Sequence, residues 1–505
     1  MATPIPANRA TFTLAEIVSA TRGRVVGGAP PDLRVAGVYT DSRAVGPESA
    51  FVALRGETHD GHAFLGAAAA RGARIAIVDR ELEHGELERG AASAPVQVVV
   101  DDTLVAWGDL ARAHLARWRA GAPDRRVVAI TGSAGKTTTK ELTAALLRAV
   151  GPTHFTAGNL NNRIGVPSVV LALGEEHRFA VLEVGMSLPG ELDAIMSFAR
   201  PDVAIVTNVG VAHAEGVGGR EGVMREKGAV YRALTADGVA VVNADDEYAQ
   251  RAAEGTRAGR RLTFGRAEGA RYRLVARVAE GVGSRVTLSR PAGALSVMLP
   301  LPGEVAAIDL AAALAAQEAT SGEVLGPEAI DAALGSLSLG GRSAVRSLRG
   351  DVLVLDDTYN ANPSSMRAAL ATLTELAGER RRRVAVLGEM RELGPLAEEE
   401  HDALGDAVAE AKVDLLIGCG GLADRVVARA GARGVEGVAA PDTAAAAVEA
   451  CARVQPGDVV LVKGSRGVAA EKVVSALSTR FAIPDGGTLQ DSWPNSAKSA
   501  TSSGS

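Results

Sequence analysis

Runs of β-branched and apolar residues alternate with amphipathic or alanine-rich stretches along most of the chain, which predicts strands and helices in turn. Ala50-Phe51-Val52-Ala53-Leu54 and Ile75-Ala76-Ile77-Val78 read as short buried strands, and residues 107–118 as an amphipathic helix. Arg126-Val127-Val128-Ala129-Ile130 reads as a further buried strand, and 140–149 carries the apolar spacing of a helix that stops at Gly151-Pro152. Strands follow at 180–184 and 203–207. A β-rich stretch from about 261 to 301 predicts an antiparallel insertion, and an alanine-rich helix covers 309–320. The remainder repeats the pattern with strands at 352–355, 384–387, 415–417 and 459–462. Such alternation predicts an α/β protein whose parallel sheets are covered on both faces.

The strand at 126–130 and the helix after it enclose Thr131-Gly132-Ser133-Ala134-Gly135-Lys136-Thr137-Thr138. A strand, a glycine turn and a helix start aim backbone N–H groups and the positive end of a helix dipole at one point, where a polyphosphate fits. Gly132 and Gly135 allow close backbone approach, Lys136 neutralises phosphate charge, and the Thr137 hydroxyl is placed to ligate Mg²⁺. The common phosphate-loop spacing would need glycine where Ile130 stands, which counts against an ordinary GTPase or kinase.

Length and turn signals divide the 505 residues into three expected domains. These are a smaller N-terminal α/β domain (1–122), a central P-loop-type parallel-sheet domain (123–341) and a C-terminal Rossmann-like α/β domain (342–483). The serine-rich tail, 484–505, is expected to be disordered. Aromatics make up 3% of the chain and its net charge is −6, so base-stacking platforms and a basic surface excess are both lacking. Nucleic acid is therefore not an expected partner. Cys419 and Cys451 are too few for a disulfide framework, the start lacks signal-peptide features, and no uncharged apolar run would span a bilayer. A cytoplasmic protein without membrane insertion is expected, and a monomer.

Working residues in open α/β sheets collect beyond the carboxyl ends of strands. Glu183 lies in an otherwise apolar strand, Thr207-Asn208 ends the next, and His213 sits in the loop after it. A carboxylate, an imidazole and a threonine hydroxyl around bound phosphates would hold one or two magnesium ions. Lys227, inside Arg225-Glu226-Lys227-Gly228, reads by itself as part of a solvated helix face, since Glu-Lys pairs usually mark one. The amides of Gly158-Asn159-Leu160-Asn161-Asn162 read as a turn or as hydrogen-bond donors to substrate. Asp356-Asp357-Thr358-Tyr359-Asn360-Ala361-Asn362-Pro363 and Lys463-Gly464-Ser465-Arg466-Gly467 each follow a strand, either as helix caps or as loops that close over substrate.

Together these strings resemble the Mur ligases, ATP-dependent enzymes that add amino acids to the nucleotide-linked precursor of peptidoglycan, and the resemblance runs to about residue 480. Thr156-Ala157-Gly158-Asn159-Leu160-Asn161-Asn162 with Ile164-Gly165-Val166-Pro167, and the 356–366 stretch, are similar to the branch that joins D-alanyl-D-alanine to UDP-N-acetylmuramoyl-tripeptide. That implies an ADP-forming amide ligase serving cell wall biogenesis, and through it cell shape and division. The chain shows no Asp-Asn-Pro-Arg string of the diamino-acid-adding branch. Another ligase of the superfamily, diamino-acid-adding or folylpolyglutamate-type, is the alternative, and a catalytically silent precursor-binding scaffold is a third.

The resemblance implies that Asp41, Ser42, Arg43 and His62 bind the uridine diphosphate end, while Asn159, Asn161 and Asn162 bind substrate. It implies that Gly132, Ser133, Ala134, Gly135, Lys136, Thr137 and Thr138 hold ATP, with Thr137, Glu183 and His213 on magnesium. Lys227 matches a lysine that becomes a CO₂-derived carbamate, an anionic oxygen ligand for a second Mg²⁺. Arg342 matches an ATP-contacting arginine, Asp357 and Asn360 belong with the nucleotide, and Lys463 and Arg466 with substrate. The chain departs from the family where Glu304-Val305-Ala306-Ala307-Ile308-Asp309 replaces a His-Asn pair and a further Asn toward the adenine end. It departs again at Arg163, where a carboxylate or amide is usual.

Overall fold

Valine, isoleucine and alanine, which fit a pleated surface buried on both faces, build two mainly parallel sheets and one larger array, and Thr11–Thr13 pairs with Arg34–Ala36 in a small antiparallel sheet. The structure is a computed structural model that describes residues 5–56, 60–83, 94–210, 214–335, 337 and 340–482. His213 and the 484–505 tail lie outside the described residues.

The chain folds as two compact units. The first takes in Met1–Val275, Thr287–Ser296 and Ile308–Leu334, and the second Ala276–Val286, Val297–Ala307 and Gly335–Ser505. The first unit holds a five-stranded sheet, in the order Arg24–Val26, Val96–Val99, Ala73–Val78, Ser49–Val52, Val38–Tyr39. All its neighbours pair in parallel except Arg24–Val26 with Val96–Val99. The helix Thr103–Ala120 ties this sheet to the central one. Its Asp102 cap accepts from Leu104 N and Val105 N, and the buried Trp107 and Trp118 rings donate to the carbonyls of Ile164 (3.0 Å) and His177 (3.2 Å). One continuous core therefore runs from Ile75 and Trp107 to Val127, Leu182 and Val206.

In the central sheet Arg126–Thr131 lies between Val203–Val206 and Phe179–Glu183, all three parallel. Register places Glu183 opposite Ile130 and Val206 opposite Thr131, so three carboxyl ends finish side by side. The chain order reverses across this middle strand, the place where such sheets leave a crevice. The β-rich stretch continues this sheet: Tyr272–Glu280, Gly283–Arg290 and Gly293–Leu299 are successive neighbours joined by two residues each, a connection that suits the expected antiparallel pairing, while its first strand joins the sheet in parallel. Arg260–Gly265 pairs in parallel with both Val239–Asn243 and Tyr272–Glu280.

The second unit holds a six-stranded sheet in the order Ala344–Leu348, Val352–Asp357, Val459–Lys463, Arg383–Gly388, Leu415–Cys419, Glu436–Ala440. Only its first pair is antiparallel. Helices such as Pro363–Ala377 and Glu471–Arg480 bury apolar faces in the two core clusters of this unit. No helix of the described residues is long and apolar enough to cross a membrane.

Candidate active site

The strand Arg126–Thr131 runs directly into the glycine loop, and the helix Lys136–Arg148 starts on Gly135. Gly135 sits at φ +78°, a backbone conformation that favours glycine. Space demands glycine as well: a Cβ on Gly132 would meet Thr207 Oγ1 at 1.8 Å, and one on Gly135 would meet Asp309 Oδ1 at 2.6 Å. The end of the neighbouring strand clamps the loop from one side. Ser133 N donates to Asn208 O (3.1 Å), Ala134 N to Asn208 Oδ1 (2.9 Å) and Asn208 Nδ2 to Ala134 O (3.1 Å). Thr207 Oγ1 donates to the same Ala134 carbonyl, and Gly210 N donates to Ser133 Oγ (2.8 Å). The Lys136 ammonium curls back to Gly132 O at 2.7 Å. A cation, helix-start N–H groups and a braced glycine turn are the elements that hold a polyphosphate.

Beside the loop, Thr137 Oγ1 donates to Glu183 Oε2 (2.6 Å) and Asn161 Nδ2 donates to Glu183 Oε1 (2.8 Å). Glu183 is 1% exposed, and its own N–H donates to Thr156 Oγ1 (3.0 Å). A buried carboxylate next to a hydroxyl on the phosphate side matches how Mg²⁺ is held, by one or two carboxylates with substrate phosphates completing the shell. Among the described residues no three His, Cys, Asp or Glu side chains gather into a metal-binding cluster. Lys227 ends the helix Gly219–Lys227 and is 2% exposed, so it is no solvated helix face. Burial, joined by repulsion from Lys136 and opposed by Glu226, pushes its ammonium well below the usual lysine range. Thr138 lies in the first turn of the phosphate helix.

Asp309 is a site residue to which the sequence assigns no role. It comes from the alanine-rich helix Glu304–Ser321 and sits against Gly135, 4% exposed. Burial pushes its carboxyl well above the usual carboxylate range, opposed by the Thr139 hydroxyl beside it. Burial thus disfavours a further negative charge beside the phosphate site. The available signal is an acid inside an alanine-rich run; contact with a loop more than 150 residues earlier leaves no trace in local pattern.

The remaining expected residues lie in two other places. Asp41, Ser42 and Arg43 form a turn after Val38–Tyr39, where Asp41 accepts from Arg43 N (2.9 Å) and pairs with its guanidinium (2.7 Å). The Arg43 hydrogen bond, against some desolvation, lowers the Asp41 pKa. His62 is held between Asp60 Oδ1 (2.6 Å) and Asp79 Oδ1 (3.2 Å). Asn159 is exposed in its turn, whereas Asn162 Oδ1 accepts from Ile164 N (3.1 Å) and Gly165 N (2.8 Å) and so shapes the loop.

In the second unit a single cluster forms at the carboxyl ends of Val352–Asp357 and Val459–Lys463. Lys463 Nζ, on a side chain 3% exposed, pairs with Asp357 and donates to Asn360 O (2.9 Å). Asp357 also accepts from Ser343 N (3.0 Å). Arg342 stacks on Tyr359, and Arg466 flanks the same ring while pairing with Glu471 at 3.4 Å.

The chain is 36% identical over 470 residues to the UDP-N-acetylmuramoyl-tripeptide–D-alanyl-D-alanine ligase of Escherichia coli, covering 92% of this chain and 98% of that one. The chain belongs to the Mur ligase family. Three Mur ligase family models match in order: the catalytic domain at residues 34–114, the middle domain at 130–317 and the glutamate ligase domain at 341–466. The enzyme of the same name from Bacillus subtilis is 31% identical over 474 residues, covering 92% and 98% of the two chains. Among solved Mur ligases, MurF from Acinetobacter baumannii superposes with a TM-score of 0.82 at 32% identity, covering 94% of this chain and all of that one. MurF from Thermotoga maritima, solved in complex with ADP, gives 0.76 at 29% identity, covering 88% and 97%.

Proposed function

We propose that this Mur ligase joins D-alanyl-D-alanine to UDP-N-acetylmuramoyl-tripeptide with conversion of ATP to ADP and phosphate, giving the pentapeptide precursor of peptidoglycan. The observation that carries the reading is identity of 36% to a ligase of that name across nine-tenths of both chains. The braced phosphate loop with Thr137 and Glu183 beside it supports the nucleotide half.

In this reading the loop N–H groups and Lys136 bind the triphosphate, and Thr137, Glu183 and His213 hold Mg²⁺. When bound, Mg²⁺ supplies charge neutralisation between the tripeptide carboxylate and ATP. The carboxylate oxygen attacks the γ-phosphorus, the bond to the β-phosphate oxygen breaks, and ADP leaves. The free amine of D-alanyl-D-alanine then attacks the acyl carbon, phosphate departs with the C–O electron pair, and the nitrogen loses a proton. Burial of Lys227 favours the neutral amine, the form whose electron pair carbamate formation requires. As a carbamate it would add an anionic oxygen for a second Mg²⁺. Arg342, Asp357 and Asn360 are assigned to the nucleotide, Lys463 and Arg466 to substrate, and Asp41, Ser42, Arg43 and His62 to the uridine diphosphate end. The division into domains 1–122, 123–341 and 342–483 belongs to the same reading. Cys419 and Cys451 are both unbridged, in keeping with a reducing compartment; a monomer in the cytoplasm belongs to the same reading.

Purified protein is incubated with ATP, the UDP-linked tripeptide and D-alanyl-D-alanine, and ADP and the pentapeptide product are quantified. ADP release should need both peptide partners. Phosphate release indifferent to the dipeptide would reject the assignment.

A further inference from the structure

A second cleft opens in the first unit, at the end of the central sheet away from the phosphate loop. It measures about 820 Å³ and is walled in part by residues that lead into the strands Val203–Val206 and Val239–Asn243. The phosphate loop leaves the opposite, carboxyl end of Arg126–Thr131, a strand spanning roughly 20 Å at about 3.3 Å per residue. The cleft volume falls within the range of about 300–1,000 Å³ found for small-molecule sites.

Its chemistry is cationic in a chain whose net charge is −6. Arg112, Arg119, Arg200, Arg232 and Arg257 line it against one carboxylate, Asp202. Three of the arginines are engaged. Arg112 pairs with Asp109 (2.8 Å), Arg119 with Asp202 (2.9 Å), and Arg232 with both oxygens of Asp193 (2.9 and 3.0 Å). Arg200 and Arg257 are exposed, and among the described residues their guanidinium groups have no ion pair or hydrogen bond. Arg119 also donates to Arg200 O at 2.6 Å, fixing the backbone from which one unengaged arginine springs. Two unspent planar forks beside three neutralised ones leave a local excess of two positive charges, which matches a dianion, and arginine binds phosphate oxygens in bidentate fashion.

We propose that this cleft is a binding site for a phosphate-bearing small molecule, separate from the nucleotide loop. Inorganic pyrophosphate is the probe, titrated calorimetrically into the full-length protein, into Lys136→Ala and into the double variant Arg200→Ser/Arg257→Ser. Lys136→Ala should keep one binding event, weakened by added salt as surface charge pairing is. The arginine double variant should lose that event, with affinity falling roughly 10- to 100-fold, while ligation and melting temperature stay at wild-type values. Should the double variant fail to fold, Arg257→Glu alone, at an exposed position, is expected to weaken the same event. Loss of all pyrophosphate binding in Lys136→Ala overturns the proposal, as does wild-type binding by the arginine variants. Binding to phosphatidic acid vesicles with none to free pyrophosphate overturns it too, because the surface would then be a membrane contact.

Discussion

The guanidinium carbon of Arg342 lies 3.7 Å from the centre of the Tyr359 ring. Tyr359 N donates to Gly341 O (3.0 Å), which fixes ring and arginine to one another at the entry to the second unit's sheet. Among the described residues Arg342 has no ion pair or hydrogen-bonding partner for its side chain, so the stack positions the cation while its N–H groups stay available for an anion.

If Arg342 binds the nucleotide as proposed, Tyr359→Leu should raise KM for ATP by about 2- to 30-fold, the equivalent of about 0.5–2 kcal/mol for a cation–π contact. Tyr359→Phe keeps the ring face and should stay within about twofold of wild type. Steady-state kinetics with ATP varied at saturating peptide substrates decides the matter. Equal effects of Leu and Phe would mean that the ring does not hold the arginine.

Asn161 acts through Glu183. Its amide donates to Oε1 while Thr137 donates to Oε2, so the carboxylate is gripped at both oxygens and cannot rotate freely. Groups that orient a metal ligand typically account for about 10- to 100-fold in metal affinity or activity. If Glu183 holds Mg²⁺ as proposed, Asn161→Ala should raise the Mg²⁺ concentration for half-maximal ligation by about that factor. A magnesium titration unchanged from wild type would detach Glu183 from the metal.

Strands were legible because β-branched runs buried on both faces leave a continuous apolar signal, as at Arg126–Thr131 and Val459–Lys463. The phosphate helix was legible only from 140 onward, although it begins at Lys136. Its first turn is Lys136-Thr137-Thr138-Thr139, polar because it faces the site or bonds to neighbouring loops. The fully buried Lys140 ends on Thr156 O at 2.8 Å, and no hydropathy pattern announces that. The glycine loop, Glu183 and Asn161 could be picked out because their residue types are unusual for where they stand. The clamp of Asn208 on Ala134 and the approach of Asp309 to Gly135 are meetings between distant segments, which a single sequence does not display.

Gly132 can be tested by double substitution. Its missing Cβ leaves the space that Thr207 Oγ1 fills, so Gly132→Ala must displace either the loop or the threonine. Overpacking of this kind costs about 1–3 kcal/mol. Urea denaturation of Gly132→Ala should show that loss together with weaker ATP binding, and Thr207→Ala in the same chain should restore part of the stability. Strict additivity of the two substitutions would show that they do not share this contact.

Acid stability turns on His154. It lies mostly buried beside Phe155, donates from Nε2 to Val169 O (2.9 Å) in its neutral form, and faces the His177 ring at 5.1 Å, with Arg9 and Glu176 nearby. Burial first, then repulsion from His177, lowers its pKa from 6.5 to about 4. Between those values the unfolded chain binds a proton that the folded chain refuses, so stability rises with pH across this window and is lost as pH falls from 6.5 toward 4. The full loss from this one group is about 3 kcal/mol. His177, lowered mainly by burial, acts in the same direction. His154→Gln keeps an amide donor for Val169 O but cannot titrate. Urea denaturation from pH 7 down to pH 4.5 should therefore give a visibly shallower fall in stability for the variant than for wild type. Parallel curves for the two proteins would show that His154 is protonated in the folded state and that the acid sensitivity arises elsewhere.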